Sequence, residues 1–259
     1  MSVLSHTLQE PSGELVGLDF YFGSLASADA LEAVVRLCLE SGGVCSNSIY
    51  VTEFKGARES KFESVYSAEV RQRHVSEATL FNCLLDSDQR VVRVPISGAI
   101  GISGDTADLV SFNGVSKLAS LRDSHPVSIA AEGWMFSTPG YEQKAVKAGR
   151  RCYDRFLHYC QSLQPDYAAI LNENSLPSAC DLQGEKGNRC FYDFFVNAEV
   201  YGEHLVRHLE HMYQDAFLKR IGNGIFVSAS SWYNPKGLKV SRLEALKRSV
   251  AVSKLLSGK

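Results

Sequence analysis

Over residues 15–41 the hydrophobic period of this chain switches from two to about 3.6, and the same switch recurs along the chain in a fixed order. Segment 15–22, LVGLDFYF, puts Val16, Leu18, Phe20 and Phe22 on one face, which predicts a strand. In ASADALEAVVRLCLESGG, Leu31, Val34, Val35 and Cys38 recur at helical spacing, with Ser27 suited to the N-cap and Gly42-Gly43 to the exit. SNSIYVTEF (46–54) is strand-like in its β-branched and aromatic residues, and FESVYSAEV (62–70) more weakly so. HVSEATLFNCLLDSD predicts a short helix with Ala78, Phe81, Leu84 and Leu85 turned inward, and RVVRVPI (90–96) a strand. The order is β-α-β-β-α-β.

The second half repeats it. Residues 127–136 and 166–171 predict strands on either side of a helix from Tyr141 to Leu163, whose stripe is Ala145, Ala148, Cys152, Phe156, Tyr159 and Leu163. CFYDFFVNAEV (190–200) is a strong strand with Tyr192, Phe194, Val196 and Ala198 on one face. The segment GEHLVRHLEHMYQD is the second helix, and GIFVSASSWY (224–233) the last strand.

Two such units in series predict an α+β fold of two tandem ferredoxin-like halves, each an antiparallel sheet covered by helices. The expected division is 1–97 and 126–234 for the units, 98–125 for a glycine-rich connector with an extra strand at Leu109–Phe112, and 235–259 for a basic C-terminal helix, all within one compact fold. At 259 residues the chain is long enough to bury a core without disulfides or metals. No apolar run approaches a membrane span, and the first residues lack the charged and apolar regions of a signal peptide. The seven cysteines include no CxxC pair, which predicts reduced thiols and a cytoplasmic protein; Cys180 and Cys190 bracket a polar loop and could pair on oxidation.

The net charge of −2 hides an asymmetry. From Lys236 to Lys259 seven basic residues face Glu244 alone, so this tail carries +6 and residues 1–234 carry −8. An acidic body argues against a broad nucleic-acid surface and is compatible with a basic protein partner. No membrane contact is expected, and a homodimer is compatible with the pattern.

The residues most suggestive of chemistry are His204, His208 and His211, followed by Asp215. On a helix they fall in a stripe about 60° wide, a spacing that suits metal ligation. Leu205, Leu209, Met212 and Ala216 define the buried side, however, and the imidazoles point roughly 130° away from it. The reading is an exposed polar face first, a partner contact second and a metal site third. Gly98, Gly101 and Gly104 hint at a phosphate loop, but no GK[ST] follows and a connector is the better reading. Glu173, Asp181 and Glu185 read as surface charge. Ser178 and Ser228 lie in no nucleophile elbow. Trp134 and Trp232 read as core anchors. No catalytic residue, cofactor or firm metal site is expected.

Three stretches, LDFYFGS (18–24), QPDYAAIL (164–171) and SSWYN (230–234), resemble parts of the immunity proteins of bacterial toxin systems, including those paired with type VI secretion effectors. Asp166 and Ala169 stand where the resembling strand carries glycines. The resemblance implies a non-enzymatic cytoplasmic protein that neutralises a cognate toxin by occluding its active site, and it transfers no functional residue. The alternatives are an enzyme or ligand-binding protein using a cavity between two sheets, and a metal-binding protein using the histidine stripe.

Overall fold

The structure is a computed structural model; it describes residues 15–53, 70–84, 89–101, 108–112, 126–133, 136, 140–172, 176–183, 186–229 and 240–258. In chain order the elements are β1 (Leu15–Tyr21), α1 (Ser27–Glu40), β2 (Val44–Cys45), β3 (Ser48–Glu53), β4 (Val70–His74), α2 (Glu77–Leu84), β5 (Gln89–Ser97), β6 (Asp108–Phe112), β7 (Val127–Glu132), α3 (Glu142–Leu163), β8 (Tyr167–Asn172), β9 (Asp193–Asn197), α4 (Ala198–Tyr201), α5 (Glu203–Met212), β10 (Phe217–Ile221), β11 (Gly224–Ser228) and α6 (Arg242–Ser257). The fold is α+β, with antiparallel pairing throughout the described strands.

Local structure follows the periods closely. Leu31, Val34, Val35 and Cys38 are all buried on α1, and Gly42 takes the left-handed φ of +88° that lets the chain leave the helix. The N-cap is Ala26 in extended geometry, one residue before the expected Ser27. On α2 the buried residues are Leu80, Cys83 and Leu84; Ala78, expected inside, is exposed, and Leu85 lies outside the described residues. The extra strand in the connector is β6. The strand expected at 62–70 falls mostly outside the described residues.

The strand order corrects the expected assembly. Instead of two ferredoxin-like sheets there is one eleven-stranded sheet, β10-β11-β9-β8-β1-β7-β6-β5-β3-β4, with β2 also against β5. β1 from the first half lies between β7 and β8 of the second, pairing Leu18 with both Ile129 and Ile170. Three helical crossovers each straddle one antiparallel strand. These are β4-α2-β5 around β3, β7-α3-β8 around β1, and β9-α5-β10 around β11. The local motif of the ferredoxin-like unit is therefore present, but the strand that fills it comes from elsewhere in the chain. Among the described residues the strands form a single sheet, and the two facing sheets of the cavity alternative are not seen.

Crossover handedness accounts for the layers. In an alternating sheet, β1-α1-β3, β4-α2-β5 and β7-α3-β8 have equivalent senses, whereas β9-α5-β10 runs the opposite way relative to its strand direction. A common right hand must place α1, α2 and α3 on one face and α5 on the other. The core clusters show this division. Val16, Leu18, Phe20, Ala168, Ile170, Phe195 and Phe226 pack with α1, α2 and α3. Tyr167, Ala169, Leu171, Phe194, Val196, Ile225 and Val227 pack with α5 and α6. β8, β9 and β11 are thus buried on both faces.

Candidate functional site

The histidine helix is built by a short sequence of local devices. Asn197 ends β9 and caps α4, its side-chain oxygen accepting from Glu199 N at 2.9 Å. Gly202, at a positive φ of +86° that favours glycine, separates α4 from α5, and a Cβ there would meet the His204 ring at 2.7 Å. α5 then buries Leu205, Val206 and Leu209, with Tyr213 closing its end. Glu203, His204, Arg207, His208 and His211 are exposed. The imidazoles stand on the outward side, as the helical wheel indicates.

This face is braced from the edge of the sheet. Arg220 on β10 donates to both oxygens of Glu203, at 2.8 and 3.1 Å, and to Glu210 at 2.8 Å. These hydrogen bonds raise the guanidinium's pKa, and the Arg220 bond holds the Glu203 carboxyl below its usual value. All three side chains are substantially exposed, so the fork fixes geometry more than it adds stability. Asp215 turns away from the imidazoles. Arg248 of α6 grips it through two hydrogen bonds of 2.5 and 3.0 Å and lies 5.5 Å from the centroid of the Tyr213 ring. Among the described residues no group of three or more His, Cys, Asp or Glu is placed to hold a metal ion.

The other candidates separate. Asp181 accepts from Ser178 Oγ at 3.0 Å at the start of a 3-10 turn. Glu173, Glu185, Trp134 and Trp232 lie outside the described residues. Gly98 and Gly101 have positive φ, and the Gly101 backbone packs beside Arg151 and Arg155 of α3. Cys180 is exposed and Cys190 buried, and every cysteine is a free thiol. The Cys190 thiol is pushed up to about 12, chiefly by burial and secondarily by Asp19.

Two buried carboxyl centres were not legible as sites. Asp19, within LDFYF, accepts from Ser128 Oγ and from Leu176 N at 2.9 Å, tying β1 to β7 and to the chain after β8. Asp193, within YDFFV, accepts from Tyr153 of α3 and from Ser228 of β11 at 2.6 Å; the two hydroxyls lie 3.1 Å apart. Both carboxyls are essentially inaccessible, at 0% and 1% exposure. They join strands and helices across the sheet, and Ser228 is committed to that role. A third polar group, Asp166, fits the departure noted in QPDYAAIL. Its Oδ2 accepts from Gly23 N at 3.1 Å, and its own N–H donates to Tyr21 O at 2.8 Å. Two of the three resembling stretches are therefore neighbours, through the β1–β8 pair.

No protein-family model and no curated protein matches the chain. Among solved structures it is similar to the Pseudomonas aeruginosa T6SS protein PA0821, at 12% identity and a TM-score of 0.44, over 92% of this chain and 72% of that chain. Among the described residues no helix is long and apolar enough to cross a membrane.

Proposed function

We propose that this chain is an immunity protein that binds a cognate bacterial toxin, of the type VI secretion kind, and covers its active site. The observation that carries the reading is the α5 face, an exposed row of His204, Arg207, His208 and His211 on a helix whose flanking Glu203 and Glu210 are joined to the sheet edge by Arg220. A surface fixed before binding loses little freedom when a partner arrives, and Arg is a favoured interface residue. The stretches around β1 and β8 that resemble such proteins support the same reading. Occlusion needs no chemistry from the inhibitor. The buried carboxyls, which could otherwise be read as reactive groups, are engaged in joining elements. The acidic body of residues 1–234 would steer a basic toxin and raise the association rate. The reduced thiols suit action in the cytoplasm.

Purification of the full chain from its native host tests this. A stoichiometric protein partner is expected, and its recovery should fall at least tenfold with the exposed double substitution Arg207→Glu and His208→Glu. Recovery of no stoichiometric protein, or undiminished recovery with the double variant, would overturn the reading.

A further inference from the structure

We propose that the outward face of α3 is a second docking surface, fitted to an acidic segment of a protein partner. Lys144, Lys147, Arg151 and Arg155 follow one another at spacings of three, four and four, along the flank of the helix that borders the buried Ala145, Ala148, Cys152, Phe156 and Tyr159. At 100° per residue they share a stripe about 80° wide, and at 1.5 Å per residue it is roughly 17 Å long. Lys144, Lys147 and Arg151 are exposed and Arg155 is half-buried. This surface lies across the sheet from α5, so the proposal stands apart from the reading above.

What distinguishes α3 is how its charge is arranged relative to the other helices. On α1, α5 and α6 an arginine has a glutamate four residues before it, in Glu32–Arg36, Glu203–Arg207 and Glu244–Arg248. That order stabilises a helix. On α3 the residues four before Lys147, Arg151 and Arg155 are Gln143, Lys147 and Arg151, so the stripe is a ladder of like charges, an arrangement that disfavours the helix. Among the described residues none of the four forms an ion pair, although Arg150 and Asp154 lie beside them. Glu142 accepts instead from Gly140 N at 3.1 Å. Carboxylates from outside the chain would relieve the repulsion.

The surface is also prearranged. The Arg155 guanidinium donates to Ser41 O at 2.7 Å at the end of α1, and His158 lies 3.2 Å from Ser41 Oγ. The Lys144 ammonium stands 4.9 Å from the Tyr141 ring centroid. A short acidic segment fits better than a nucleic acid. α1 lies beside α3 on the same face and, outside its Glu32–Arg36 pair, carries Asp29 and Glu40, which would repel a polyanion extending beyond the stripe.

The test is binding of a six-residue glutamate peptide, short enough to stay within the stripe, to the full chain at low salt, with a 20-nucleotide single-stranded DNA as comparison. The expected result is salt-sensitive peptide binding, weakened at least tenfold by Lys147→Glu with Arg151→Glu and left within twofold by Lys247→Glu on α6. The milder pair Lys147→Gln and Arg151→Gln should weaken binding severalfold while leaving the melting temperature unchanged or higher, since it removes like-charge repulsion. Equal loss with the α6 variant, no loss with either α3 pair, or tighter binding of the DNA would overturn the proposal.

Discussion

Asp193 is held by two hydroxyls from different layers, Tyr153 of α3 and Ser228 of β11, in a place where water does not reach. Removing one buried partner costs about 1–3 kcal/mol, so Tyr153→Phe should lower the unfolding free energy by that amount in urea titration, while far-ultraviolet circular dichroism stays unchanged. Cys190 makes a second test. Burial pushes its thiol up to about 12 from an ordinary value of 9.0. The folded state therefore keeps the neutral thiol where the unfolded chain ionises. Its contribution to stability is complete below pH 9.0 and declines as pH rises towards 12. In the native protein at pH 8, iodoacetamide should label Cys180 readily and Cys190 only after denaturation; labelling of both at similar rates would contradict the placement. Neither Asp19 nor Asp193 could be assigned a partner from sequence, because an aspartate in an apolar strand looks the same whether it faces water or a hydroxyl from a distant element. The histidine row was readable, since the leucines that orient it lie on the same helix.

Phe194 and Phe195 are adjacent on β9 and belong to different cores, one beneath α5 and α6 and the other beneath α3. In a sheet with one wet face, only one of two neighbours would be expensive to truncate. Here both are fully buried, so Phe194→Ala and Phe195→Ala should each cost about 3–5 kcal/mol. A small effect at either position in thermal or chemical unfolding would show that its face is uncovered. Most helices and strands were readable because their periods are local properties. The short β2 was not expected, nor was β10, whose signal is the two-residue Gly222-Asn223 connection between Ile221 and Gly224, with Gly222 at φ +52°. Residues 198–200 were read as the end of a strand, but Asn197 caps a helical turn there.

The insertion of β1 between β7 and β8 was not readable at all. Period and order are the same whether a split crossover is filled by its own unit or by a strand far away in sequence, and only long-range pairing distinguishes the two. The consequence is a sheet whose centre draws on both halves of the chain, with helices on both faces and a braced polar helix, α5, left outward. That outward polar face is the basis for the proposal that the molecule works by covering another protein. The most direct measurement is a titration, with added chain, of the toxic activity of the partner proposed above. The account predicts that activity falls in proportion to added chain and is abolished near one equivalent, with the Arg207→Glu, His208→Glu variant at least tenfold weaker. Activity that persists in the presence of excess folded chain would contradict it.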